Sequence, residues 1–379
     1  MNLPESSILP ISSFSRIFND MSESYKIFWF KGILDYAMEG KETVTFGEII
    51  HHMITDAWYM VSEYHLNLGP LDTLEKLVRE IQGDSGLTSA AEPRKIYAFL
   101  ETLENEADTK NNETARRLKA YESTLTKMVP YRLQAPFLYD VKGRVWDNTG
   151  DVIARVNQNT RVIYHFGEEG GLNRTIHIQK AWMDYFSLNQ TIILGWLNYN
   201  LVCYLQKRNP SVPGISDKLK PPAERKMEKA RNFWKAVAEH YEIRNIYAPD
   251  IEIIDRNRIS LDHFVPWSYV AHDELWDLIP TTREINSSKG NGLPNWDRFF
   301  PLLCAEEYKS YCVIWENEHI RDVFEKCEKE HVNSDEAREK LYSHGIDRAA
   351  FQDELYLMVH PSYQSAQSQG FAEWKMNDT

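Results

Sequence analysis

Pro266 stands three residues after an Asp-His pair, and Pro280 stands directly before the run Thr-Thr-Arg-Glu. Proline cannot donate to a strand ladder, and it clashes with the preceding turn of a helix. The stretch Ile259–Gly292 (ISLDHFVPWSYVAHDELWDLIPTTREINSSKGNG) can therefore be neither one helix nor one strand. It predicts a short strand ending at Asp262-His263, a loop that Pro266 keeps from rejoining the sheet, a second strand around Leu275–Ile279, and then a helix. Thr281 and Glu284 have the spacing of a capping box for that helix, and Gly290 sits where a left-handed C-terminal residue is wanted. Asn286 and Lys289, three apart, then share one helix face.

Adjacent strand residues point to opposite sides, so Asp262 and His263 serve one site only if the strand ends there. A carboxylate with an amide oxygen suits a hard cation such as Mg²⁺. A neutral histidine beside such an ion can take a proton from an attacking water. The order Asp-His, then an acidic or amide residue, then Asn-x-x-Lys resembles the HNH endonucleases, and its spacing is similar to that of the HNH domain in the RNA-guided CRISPR DNA nuclease. Fourteen positions separate His263 from Asp277, and nine separate Asp277 from Asn286.

The resemblance implies a small ββα-metal nuclease module within a mostly helical, multidomain α+β protein. It implies that Asp262 and Asn286 hold a single Mg²⁺ or Mn²⁺, that His263 is the general base, that Asp277 stands at the family's middle position, and that Lys289 lies near the substrate phosphate. The chain departs from the family in two ways. The middle residue is usually Asn, and an ionised Asp277 accepts the same hydrogen bonds but cannot donate. Many members also brace the module with CxxC pairs on zinc; no such pair occurs here, so no structural zinc is expected, and packing by Trp267, Trp276, Leu278 and Ile285 is expected instead.

The formal charge of −13 opposes a nucleic-acid partner unless positive charge is concentrated locally, because phosphate affinity comes from Lys and Arg displacing counterions. Between Asp217 and Lys235 seven basic side chains face three acidic ones. Lys218, Lys220, Arg225, Lys226 and Lys229 of that stretch, with Arg283, are the candidate nucleic-acid contacts; an ordinary solvated helix face reads equally well. Cys203, Cys304, Cys312 and Cys327 are too sparse for a disulfide framework and read as buried thiols. The N-terminal residues have no basic-then-apolar leader, and no run approaches the roughly 20 apolar residues that span a bilayer, so a cytoplasmic chain without membrane contact is expected.

With 379 residues, 42% of them hydrophobic, the chain has material for more than one core. Four regions are expected: helical 1–127, mixed short strands and long helices 128–245, the nuclease module 246–300, and a helical acidic region 301–379. Helices are expected near Phe14–Met38, Phe46–Tyr64 and Leu71–Ile81, with a boundary in Asn105–Lys127. Strands are expected from VIARV and RVIYHF, one long helix over Ile176–Lys207, and another over Ala223–Tyr241. His51-His52 read as positions on an amphipathic helix, with no acidic cluster beside them in sequence; His165 and His272 read as turn and loop residues.

The expected activity is metal-dependent hydrolysis of phosphodiester bonds, with DNA as substrate. By analogy the chain is expected to be an effector of a bacterial anti-phage or restriction-type system, working with a regulatory partner protein and possible as a homo-oligomer. An RNA nuclease shares the same site chemistry, and a degenerate HNH scaffold or regulatory subunit is the rival class.

Overall fold

The structure, a computed structural model, describes residues 3–106, 112–127, 129–139, 141, 143–221, 227–248 and 254–375. The chain divides into two compact units, Met1–Pro210 with Lys218–Pro221, and Ser211–Asp217 with Pro222–Thr379. The protein is a mostly helical α+β chain. No helix among the described residues is long and apolar enough to cross a membrane.

The first unit runs α1 (Ile11–Phe14), α2 (Tyr25–Met38), β1 (Thr43–Thr45), α3 (Phe46–Ser62), α4 (Thr73–Ser85), α5 (Pro93–Glu106), α6 (Glu113–Leu125), α7 (Val129–Arg132), α8 (Thr149–Gln158), β2 (Tyr164–Phe166), β3 (Thr175–Ile178), α9 (Lys180–Leu188) and α10 (Gln190–Arg208). The three strands form an antiparallel sheet with β3 between β1 and β2. α3 starts where expected because Thr45 and Glu48 cap it reciprocally. Its apolar face packs with α2 and α4, and Phe14, Phe30, Trp182, Phe186 and Trp196 form an aromatic centre.

Three expectations are corrected here. VIARV is not a strand but lies in α8, since Asn148 caps that helix and puts Val152 and Val156, four apart, on one buried face. Alternation and a four-residue repeat coincide over so short a run, and the cap decides between them. The long helix over Ile176–Lys207 is instead β3, α9 and α10; Ile176 and Ile178 are taken into the sheet, and α9 stops at Asn189. The boundary expected in Asn105–Lys127 falls inside the first unit, because α5 and α6 pack on each other and on α3 and α4.

The second unit contains α11 (Glu228–Ala238), β4 (Ser260–His263), α12 (Trp267–Val270), β5 (Leu278–Thr281), α13 (Arg283–Lys289), α14 (Trp296–Glu316), α15 (Glu318–His331), α16 (Asp335–Lys340) and α17 (Arg348–Ser368). The regions expected as a nuclease module and a separate acidic tail share one core, built from Phe233, Trp234, Phe264, Leu278, Phe299, Phe324 and Leu355 among others. The Trp234 indole donates to the Leu278 carbonyl at 3.0 Å, tying α11 to β5. Trp267 and Ile285, expected to support the module, are only half-buried, whereas Phe264, Val265 and Leu275 are fully buried. The four cysteines are free thiols; Cys304 and Cys327 are buried, and Cys203 and Cys312 are half-buried.

Candidate active site

β4 and β5 pair antiparallel with Asp262 opposite Ile279 and His263 opposite Leu278, and the ladder stops there. Phe264 N–H still donates to the Asp277 carbonyl at 2.8 Å, and then Val265 N–H turns to the Asp277 side chain, Oδ1, at 2.9 Å. Pro266 follows as the N-cap of α12 and removes the next donor. The strand therefore ends at the Asp-His pair, as its sequence requires.

α13 begins one residue later than the spacing suggests. Thr282, not Thr281, is its N-cap, accepting from Ile285 N–H at 3.4 Å. Thr281 is instead the last residue of β5, paired with Ser260, and its hydroxyl donates to Asn245 Oδ1 at 3.1 Å. α13 ends at Gly290 with φ +48°, a conformation that favours glycine.

The helix lies against β4 through two of its polar residues, Asn286 and Lys289. Asn286 Nδ2 donates to Ser260 Oγ at 3.0 Å and to the Leu261 carbonyl at 2.8 Å. Lys289 Nζ lies 3.1 Å from Asp262 Oδ2 and donates to the His263 carbonyl at 2.7 Å, and its side chain has 0% exposure. The Asp262 carboxylate also accepts from the Tyr247 hydroxyl at 2.7 Å. Burial, then the Asp262 charge, holds that phenol well above its ordinary range.

His263 Nε2 lies 2.9 Å from Asp273 Oδ1. The loop bearing Asp273 is held from α15 and the turn after it: His331 Nδ1 lies 2.8 Å from the Asp273 carbonyl, and Asn333 Nδ2 donates to Glu274 Oε1 at 2.8 Å.

Asp277 is fully buried, and while Oδ1 accepts from Val265, Oδ2 has no hydrogen-bond partner among the described residues. Burial is the largest cause holding its carboxyl well above the ordinary carboxylate range. Nearby, Glu307 on α14 is equally buried, neither carboxylate oxygen has a hydrogen-bond partner, and desolvation followed by repulsion from Asp277 raises it likewise. Burial thus works against the ionised form of both acids, and a protonated Asp277 would regain the donor that an ionised one lacks.

The structure brings Asp262, His263, Asp277, Asn286 and Lys289 together on β4, the short 3-10 turn Leu275–Asp277 before β5, and α13. Lys289, expected beside a substrate phosphate, is instead paired under the Asp-His turn. Tyr247 and Asp273 carry no sequence signal, because their partners are 15 and 10 residues away across loops.

The candidate nucleic-acid residues differ in their surroundings. Lys218 has 0% exposure with its ammonium 5.2 Å from the Tyr64 ring centroid, so as placed it offers no phosphate contact. Lys220 and Arg283 are exposed. Lys229 pairs with Glu330 at 2.7 Å, and Arg225 and Lys226 lie outside the described residues.

Residues 248–295 match a family model described as HNH endonuclease. No curated protein and no solved structure matches the chain.

Proposed function

The chain carries an HNH endonuclease domain over residues 248–295, and from that premise we propose that it hydrolyses phosphodiester bonds of DNA with a divalent metal ion. The single observation that supports this most is the His263–Asp273 pair at 2.9 Å, directly after Asp262 at a strand end.

In this reading His263 accepts the proton of the attacking water. Asp273 fixes the ring and stabilises the imidazolium that forms, the part a carboxylate plays wherever it orients a catalytic histidine. Asp262 and Asn286 fit a hard cation: the Asn286 amide nitrogen is engaged by two oxygens, which leaves its Oδ1 as the remaining donor. These two residues would hold Mg²⁺ or Mn²⁺, which when bound supplies charge stabilisation at the phosphate and leaving oxygen. Lys289 holds Asp262 in place through their contact at 3.1 Å, and Asp277 fixes the loop that follows His263. Arg283 and Lys220 are the exposed candidates for backbone contact.

We extend the proposal, on analogy, to an effector of a bacterial anti-phage or restriction-type system with a regulatory partner. Purified protein and His263→Ala would be incubated with supercoiled plasmid and with single-stranded RNA, in Mg²⁺, in Mn²⁺ and in chelator. The expected result is plasmid cleavage by wild type only, with metal only, and a loss of about 10²-fold or more in the variant. RNA cleavage alone would change the substrate class. No cleavage of either substrate would favour the scaffold or regulatory reading.

A further inference from the structure

α3 carries adjacent histidines, His51 and His52, and each is met by two carboxylates from other helix positions. The two clusters differ in what already neutralises them. At His52, Lys31 Nζ lies 3.0 Å from Asp35 Oδ2 and 2.7 Å from both Asp56 oxygens, so an ammonium sits between the acids. At His51, Nε2 lies 3.1 Å from Glu122 Oε1 and 3.3 Å from Glu104 Oε1, and neither glutamate has a lysine or arginine ion pair among the described residues. Glu122 is 1% exposed, so its charge is not solvated by water.

One imidazole N–H cannot satisfy two carboxylates. The geometry suits a different occupant. Zinc–ligand distances of about 2.0–2.2 Å at tetrahedral angles put ligand atoms about 3.3–3.6 Å apart, close to the two separations seen here. All three ligand atoms lie within 4.8 Å of one another. They come from three helices, α3, α5 and α6, whose mutual packing is part of the first unit. A nitrogen with two carboxylate oxygens is a borderline donor set, suited to zinc and its first-row neighbours more than to magnesium.

We propose that His51, Glu104 and Glu122 bind one divalent first-row transition cation of the zinc class, which clamps α3, α5 and α6 together. This site is separate from the nuclease residues and does not depend on their activity.

The test is zinc content and affinity of the full chain after chelator stripping and dialysis against Zn²⁺, comparing wild type with Glu104→Gln and His51→Gln. Glu104 is part-exposed at 37%, so its variant is expected to fold, which circular dichroism would check. The proposal expects wild type to hold one zinc equivalent that His51→Gln lacks and that Glu104→Gln binds at least tenfold more weakly. Co²⁺ is expected to give visible absorption that His51→Gln lacks and that Glu104→Gln develops only at correspondingly higher Co²⁺. Equal zinc content and affinity in all three proteins, or no zinc taken up by wild type at this site, would overturn it.

Discussion

Val265 N–H donates to Asp277 Oδ1 at 2.9 Å, so the side chain of the second strand's entry holds the loop that leaves the first strand. An asparagine amide makes the same bond through its own oxygen. Asp277→Asn is therefore expected to fold and to cleave within about threefold of wild type, since it keeps the acceptor and removes a carboxyl whose ionised form burial disfavours. Asp277→Ala leaves the Val265 donor buried and unpaired, a cost of about 1–3 kcal/mol. Thermal melts and single-turnover cleavage of both variants check this; equal loss in Asn and Ala would show that the bond is not what matters.

Asp273 is 20% exposed, so it can be replaced without leaving a sealed void. Asp273→Ala is expected to lower kcat by about 10–100-fold with KM and melting temperature little changed, because it frees the ring of His263 while leaving substrate contacts alone. Steady-state kinetics on a metal-saturated enzyme decide it. A variant with unaltered kcat would remove Asp273 from the mechanism.

Lys289 and Lys229 offer a paired comparison. Lys289 is fully buried against Asp262, and losing one partner of such a pair costs about 3–5 kcal/mol. Lys229 is 43% exposed in its pair with Glu330, where roughly 0–1 kcal/mol is at stake. Urea unfolding of Lys289→Met and Lys229→Met is expected to show a large drop in midpoint for the first and almost none for the second. Similar midpoints would contradict the burial argument.

Glu307 gives a pH signature. Its folded-state carboxyl is raised well above the ordinary 4.5 by burial, then by Asp277 and Glu306. The unfolded chain releases that proton from about pH 4.5 upward while the folded chain keeps it, so the group's contribution falls as pH rises from there toward the folded value. Glu307→Gln is expected to melt higher than wild type at pH 8 and by a smaller margin at pH 5. A margin independent of pH would mean that the carboxyl ionises freely in the fold.

Much of the nuclease segment was legible because its signals are local. Proline placement and Gly290 each act within a few residues of where they stand, and the His263-to-Asn286 spacing spans 23 positions of continuous chain. The helix cap falls one residue beyond the position its spacing suggests, because Thr281 and Thr282 are both threonines able to cap and only the pairing of Thr281 with Ser260 excludes the first. Lys289 was placed on the correct helix face, yet its burial depends on β4 lying beneath that face. Asp273 and Tyr247 were invisible, since nothing in a linear sequence says that they reach His263 and Asp262. The acidic partners of His51 were missed for the same reason: Glu122 lies 71 residues downstream on another helix.

The hold that His331 and Asn333 keep on the Asp273–Glu274 loop bears on how this domain could be moved or trimmed. The stretch that matches the family pattern, 248–295, ends well before them, so a fragment cut to the pattern alone would keep Asp262, His263, Asp273, Asn286 and Lys289 and lack the struts that hold Asp273 beside His263. The matched segment is therefore not a portable cassette, and grafting or truncating it must carry the sequence through α15 and the turn after it.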